Sequence, residues 1–351
     1  RTTTSVQELR TIQPYDSNLT ETLIAAGVEV KAVAQQQSGI VSLISLLLPV
    51  FLLIGFGYAA ARAGVFSESN VDGVMRYAQT FALPVLLFKS ISALDLTQAY
   101  NPGLMLSFYA GAFAGFGFAF FGALLIFKRP LADCVAIGFA GLFSNTLLLG
   151  LPITERAYGS AALAGNYAII SIHAPILYSF GILMMEWARS RGKVSNVPAL
   201  LVQVSKGVIT QPLVIGILCG FAVNLSGLTV PNFAASAVEM MARSGIPVAL
   251  FGLGGVLWRY RPEGDRATIA MVCASSLLIH PAITYGLGHY GFGLDTASLR
   301  SATVTAAMAP GVNAYMFAHI YGVGKRVAAS SVLIATALSI FTTWGWLHLL
   351  P

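Results

Sequence analysis

From residue 40 onward, apolar runs of about twenty residues alternate with short gaps rich in charge and turn formers. The runs cover approximately 40–61, 71–92, 104–127, 131–152, 164–188, 208–226, 236–258, 267–288, 299–320 and 327–350. A helix rises about 1.5 Å per residue, so each run is near the length that crosses about 30 Å of hydrocarbon. The pattern predicts an all-α polytopic membrane protein with ten transmembrane helices. Residues 1–39 are polar and mixed in charge, and the weak apolar patch from Leu23 to Val33 is too short and too often charged to span a bilayer. That stretch is expected to be an extramembrane tail or a short surface helix.

The runs repeat. Pro49 and Gly57-Tyr58-Ala59 are answered by Pro212 and Gly220-Phe221-Ala222, and Pro84-Val85-Leu86-Leu87-Phe88 by Pro247-Val248-Ala249-Leu250-Phe251, always at an offset of 163. An interval of that size is too long for a solenoid unit and suits two halves of five spans each, a build found in secondary transporters. The expected organisation is a first five-helix repeat over 40–188, a cytoplasmic linker over 189–207 and a second repeat over 208–351. With an odd number of spans per half, the second repeat is inverted relative to the first.

Composition agrees with a membrane setting: 56% of residues are hydrophobic and only 10% charged, too little polar surface for a soluble globule of this length. The formal charge of +6 is not gathered into a basic helix or an aromatic-basic stripe, so nucleic acid is not an expected partner. Thirteen lysines and arginines fall around the gaps after odd-numbered runs, among them Arg62, Lys128, Arg189, Arg261 and Lys325. Only Lys89, Arg156 and Arg300 lie near the opposite gaps. By the positive-inside rule the first set of gaps is cytoplasmic and both termini are not. Cys134, Cys219 and Cys273 sit singly in apolar runs, which supports packing rather than a disulfide framework or a thiolate metal site.

The least regular runs are the fourth and ninth, at corresponding places in the two halves. One carries Phe143-Ser144-Asn145-Thr146, the other Met308-Ala309-Pro310-Gly311-Val312-Asn313. Pro310 removes a helical donor and Gly311 tolerates unusual dihedrals, so a break near mid-membrane is expected. Freed backbone groups there must face protein or a wet cavity. Two broken helices meeting at the midplane point N-termini at a common spot, an anion site without a lysine or arginine. Ser144, Asn145, Thr146, Pro310, Gly311 and Asn313 are the candidate substrate-binding residues. Taken singly, each break also reads as an ordinary membrane-helix kink with Asn as interhelical glue; the pairing favours a site.

Ionisable groups inside spans are expensive and point to function. His173 and His280 each lie near a proline, Pro175 and Pro281, where a proton could bind during coupling; each also reads as a neutral histidine bonded to kinked backbone. Asp133, beside Lys128 and Arg129, is expected in a surface pair, with cation coupling as the other role. Glu239 and Arg243, spaced i,i+4, are expected to pair. No HExxH, CxxC, GxSxG or phosphate-loop motif is present, so an intramembrane enzyme has little support and nothing asks for a cofactor.

The stretch Asn145-Thr146-Leu147-Leu148-Leu149-Gly150-Leu151-Pro152-Ile153, ending in Ala157-Tyr158-Gly159, resembles the first crossover helix of the auxin efflux carrier family, which includes plant carriers and bacterial malonate-type carriers. Pro310-Gly311-Val312 with Tyr315-Met316-Phe317-Ala318 resembles the second crossover, and Leu48-Pro49 through Gly55-Phe56-Gly57-Tyr58 and Leu83-Pro84 fit the opening spans. The similarity extends over residues 40–350. It implies two inverted five-helix repeats, with a scaffold from spans one, two, six and seven and a transport unit from the others. It also implies an alternating-access carrier of a small carboxylate whose charge Asn145 contacts. A homodimer is expected through the scaffold, where Gly55, Gly57, Gly216 and Gly220 would allow close helix approach. Ser144 stands where the plant carriers have a proline, and their long cytoplasmic loop is absent. Both departures favour the bacterial organic-acid branch, in a bacterial inner membrane with lipid as surroundings. Two other readings stay open: a proton- or sodium-coupled symporter or exchanger of the sodium and bile-acid class, and a membrane solute sensor.

Overall fold

The computed structural model describes residues 30–190, 202 and 206–351, with side chains from Ser45 onward. The chain divides into Arg1–Leu46 and a body, Leu47–Pro351, which holds every candidate site residue. The expected tail lies outside the described residues up to residue 29. Of the linker, residues 191–201 and 203–205 lie outside them as well.

Among the described residues the chain is helical, without a strand. Helix α1 is Val30–Arg62, beginning upstream of the expected 40. It is followed by α2 (Glu68–Tyr77), α3 (Leu83–Ser92), the short α4 (Leu96–Ala99), α5 (Pro102–Phe121), α6 (Leu131–Leu142), α7 (Leu151–Tyr158) and α8 (Ala164–Arg189). Then come α9 (Pro212–Ser226), α10 (Asn232–Arg259), α11 (Arg266–Ala274), α12 (His280–Gly286), α13 (Thr296–Ala306), α14 (Val312–Tyr321) and α15 (Lys325–Leu349). Six stretches among the described residues are long and apolar enough to cross a membrane: Ser45–Arg62, Pro102–Ile126, Ser160–Arg189, Asn232–Arg259, Arg266–Gly291 and Lys325–Leu349. The protein is a polytopic membrane protein.

Short polar residues start the helices, each meeting backbone amides that the helix leaves unbonded. Asn101 accepts from Gly103 and Leu104 at 2.9 and 3.4 Å, Asp265 from Ala267 at 3.1 Å, and Asp295 from Ala297 and Ser298 at 2.9 and 3.0 Å. Among the described residues π-helical turns interrupt the rods at Ala78–Ala82, Gly122–Ile126, Thr146–Gly150, Ser275–Ile279 and Leu287–Gly291. Three of them are followed at the second residue by proline: Pro84, Pro152 and Pro281. A proline neither donates to the carbonyl four residues back nor fits against it, and one wider turn relieves both problems.

Glycines set the closest helix contacts. A Cβ on Gly57 would lie 1.8 Å from the Phe251 carbonyl oxygen, and one on Gly254 2.0 Å from that of Ile54, so α1 and α10 touch backbone to backbone. Gly216 sits on Pro84, where a Cβ would meet the carbonyl oxygen at 2.3 Å, and Gly220 on Phe88 at 2.9 Å. The contacts Gly57–Phe251 and Gly220–Phe88 exchange when 163 is added or subtracted. This corrects the expected use of these glycines. Gly57, Gly216 and Gly220 are filled by helices of the same chain, and of the four only Gly55 has open space beside it.

Ion pairs tie the ends of the rods. Arg243 Nε bonds Glu239 at 2.6 Å, as its spacing predicts, and Lys89 joins the same carboxylate. Arg129 turns to Asp265 at 3.4 Å rather than to Asp133, so the expected Asp133 surface pair is not the one formed with Arg129.

Candidate functional site

Helix α6 ends at Leu142, and Phe143 leaves the helical region with φ −93° and ψ 85°. Asn145 then opens the next helical stretch: its Oδ1 accepts from the Leu148 amide at 3.3 Å, and its carbonyl accepts from Leu149 and Gly150 at 3.2 and 3.1 Å. In the other half α13 ends at Ala306, a turn at Ala307 and a bend at Met308 follow, and Pro310 disfavours helical backbone at Ala309, so the helix resumes only at Val312. Gly311 has φ −71° and ψ 161°, an extended backbone that any residue adopts. The expected break therefore forms without the unusual dihedrals that Gly311 would tolerate. What the missing side chain leaves open is space beside Asn145, whose Cα a Cβ would meet at 3.6 Å.

The two breaks touch. Ser144 and Pro310 face each other as an isolated antiparallel bridge, the Asn145 amide donates to Ala309 at 2.8 Å, and the Gly311 amide donates to Phe143 at 2.9 Å. Two helix N-termini therefore meet at the crossing, one at Asn145 and one at Gly311. The first amides of a helix have no carbonyl partner within it, and at the ten-residue α14 these include Val312 and Asn313. The Ser144 hydroxyl is buried without a hydrogen-bond partner. Thr146 is buried, its amide turned to the Ser144 carbonyl at 2.9 Å. Asn313 is half-buried at the second position of α14.

The histidines stand behind the crossing. The His173 ring packs against Phe143 with centroids 4.7 Å apart, and Phe108 packs against both imidazoles, 5.7 Å from His173 and 5.0 Å from His280. His280 Nε2 meets the Phe108 carbonyl at 3.2 Å, a backbone contact to the unbroken helix α5 and not to the kink at Pro281. His173 is buried with neither ring nitrogen partnered, although the Ser144 backbone lies beside it. Asp133 is not part of this group. It lies in the first turn of α6, at the end away from the break, and no group of three or more His, Cys, Asp or Glu able to hold a metal occurs among the described residues.

Two supporting residues had no sequence expectation. Asn166 Nδ2 donates to Thr154 at 3.0 Å and to Thr305 at 2.8 Å, stitching the two broken spans together. Ser276 donates to the Met308 carbonyl at 3.0 Å, satisfying a backbone group that the second break frees. A fully buried Asn within an apolar run was the available signal for Asn166. Ser276 had none.

The model of a family described as "Membrane transport protein" matches residues 42–347. The chain belongs to that family of membrane transporters. The transporter is similar to the "Putative malonate transporter" of Rhizobium meliloti (strain 1021), 23% identical over 87% of this chain and 95% of the relative. It is also similar to the "Uncharacterized transporter YfdV" of Escherichia coli (strain K12), 24% identical over 86% and 96%. "Auxin efflux carrier component 8" of Arabidopsis thaliana is 20% identical over 88% and 97%. The resemblance to auxin efflux carriers noted from the crossover residues is thus borne out over most of the chain.

Proposed function

We propose that this transporter is a secondary carrier of a small organic anion, a carboxylate of the malonate type, which it moves by alternating access. The observation that carries the reading is the crossing at Ser144 and Pro310, where two helix N-termini meet with no fixed cation among the crossover residues. A buried carboxylate needs several aligned donors, and charge-assisted hydrogen bonds are the strong ones. The amides of Val312 and Asn313, the Asn145 side-chain amide and the Ser144 hydroxyl supply them, with helix dipoles favouring negative charge. A lysine in the same place would hold the anion more tightly and slow its release.

The reading includes ten spans in two inverted repeats, a cytoplasmic face at the lysine- and arginine-rich gaps and both termini on the other side. It is supported by the exchange of Gly57–Phe251 with Gly220–Phe88 at offset 163 and of the crossover hydrogen bonds at offset 166. His173 and His280, packed behind the crossing, are the proposed route for proton coupling. Asp133 lies too far from the crossing to serve the same role directly: nine residues of helix, or about 13.5 Å, separate it from the end of α6 at Leu142. The reading follows the malonate relative's name for the substrate class, while the charge asymmetry sets the orientation.

Currents recorded on a solid-supported membrane test it. Malonate and other small carboxylates are added with and without proton and sodium gradients. A carboxylate-dependent current that Asn145→Asp abolishes is expected, and silence towards every carboxylate overturns the assignment. Labelling of a Ser195→Cys protein in oriented vesicles tests the topology, with access from the cytoplasmic side alone expected.

A further inference from the structure

A cavity of about 240 Å³ opens where α10, α14 and α15 come together, and its lining includes Arg259, Arg261, Glu263, Lys325 and Arg326. That volume equals about eight water molecules, room for a small dicarboxylate with some of its hydration. Its floor is aromatic: Tyr260, buried at the end of α10, and Tyr315 on α14 have ring centroids 4.6 Å apart. Tyr315 is three residues beyond Val312, within one helical turn of the crossover amides. The loop above is pinned, since the Ser330 hydroxyl donates to the Glu263 carbonyl at 2.7 Å, lies 3.1 Å from that of Arg261 and accepts from the Glu263 amide at 3.0 Å.

The charges in this cavity do not cancel. Arg259 is paired with Asp72 at 2.7 Å, and Arg326 loosely with Glu263 at 3.8 Å. Arg261 and Lys325 are exposed and have no ion pair among the described residues. Two unpaired cations beside one open pocket match a dianion rather than a monoanion.

We infer that this cavity is a capture site for a small dicarboxylate, held by Arg261 and Lys325 above the Tyr260–Tyr315 floor, on its way to or from the crossing. The inference rests on the carrier reading for what happens after capture. Exposed cations bind weakly and steer, so an anion is concentrated there and still released. Tyr260 ends a proposed scaffold helix and Tyr315 belongs to a proposed moving one, so a shift of α14 along α10 would open or close the floor.

The test uses the full chain in oriented liposomes, with radiolabelled malonate and succinate as dicarboxylate probes and acetate as the monocarboxylate. In the Arg261→Gln/Lys325→Gln protein, the KM for dicarboxylate entry from the face carrying these cations should rise about three- to tenfold with kcat unchanged. Entry from the other face should not change, and acetate should respond less. The charge-preserving Arg261→Lys/Lys325→Arg protein should behave like the parent. An unchanged KM, or an equal effect from Arg62→Gln on the same expected face, overturns the inference. Equilibrium binding of malonate to the Asn145→Asp protein separates this inference from the carrier reading. Capture there should persist and be lost when Arg261→Gln/Lys325→Gln is added, whether or not the chain transports; no malonate binding to Asn145→Asp overturns the capture site.

Discussion

Ser144 and Pro310 face each other at the non-hydrogen-bonded position of a two-residue antiparallel crossing, flanked by Asn145–Ala309 and Gly311–Phe143 bonds of 2.8 and 2.9 Å. At such a position neither residue's amide is used by the pairing, so Pro310 costs it nothing. The same holds for Ser144. A Ser144→Pro protein should therefore keep both flanking bonds and melt close to the parent in detergent, while losing the buried hydroxyl and some carboxylate affinity. A large fall in melting temperature would mean that the Ser144 amide or hydroxyl has a structural partner.

The glycine contacts make a paired prediction. Gly57→Ala drives a methyl to 1.8 Å from the Phe251 carbonyl oxygen, a backbone atom that cannot swing away. Overpacking of this kind costs about 1–3 kcal/mol, and α1 must shift from α10. Gly55→Ala, two residues earlier, meets nothing within 4 Å, and replacing a helical glycine by alanine gains about 0.5–1 kcal/mol. Thermal melts of the two single variants should move in opposite directions.

Much of this architecture was legible in the chain because apolar run length, Pro310 and the recurrent Pro-Val pairs act locally. The crossing was legible too, since Ser144-Asn145 and Pro310-Gly311 interrupt apolar runs at matching places. The partners of small residues were not. Gly57 reads equally as a dimer contact or an internal one, and only the fold brings it onto Phe251. The same limit hid Arg129–Asp265, where Asp133 was the nearer carboxylate in sequence, and Tyr260–Tyr315, whose residues lie far apart in the chain. The wider turns before Pro84, Pro152 and Pro281 had a signal in proline, but an incomplete one: Pro49, Pro175 and Pro247 lie within uninterrupted α-helix.

His173 gives a prediction about coupling. Its ring touches Phe143 at the first break and neither nitrogen has a hydrogen-bond partner, and the groups around it are the Phe108 and Tyr109 rings, the Ser144 backbone and His280, which packs on Phe108 as well. If a proton travels with the substrate, His173→Gln should leave carboxylate binding measurable and remove the dependence of the current on an imposed pH gradient. A parent-like response to the pH gradient in that variant would assign His173 to packing.

Asn145 has two duties at the crossing, and they can be separated. Its Oδ1 caps the helical stretch through the Leu148 amide at 3.3 Å, a contribution of about 1 kcal/mol. Its Nδ2 plays no part in that cap and is the proposed contact to the carboxylate, where a hydrogen bond to a charged group contributes about 1.5–3 kcal/mol. Asn145→Ala removes both, so it should lower the melting temperature slightly and weaken carboxylate binding by roughly tenfold or more. Asn145→Asp keeps a capping oxygen and places it at a helix N-terminus, where negative charge is favoured. It should therefore melt near the parent, yet oppose the incoming carboxylate with like charge and transport less than Asn145→Ala. Thermal melts and initial uptake rates on the three proteins decide the matter. If Asn145→Asp transports as the parent does, the carboxylate does not sit beside this residue.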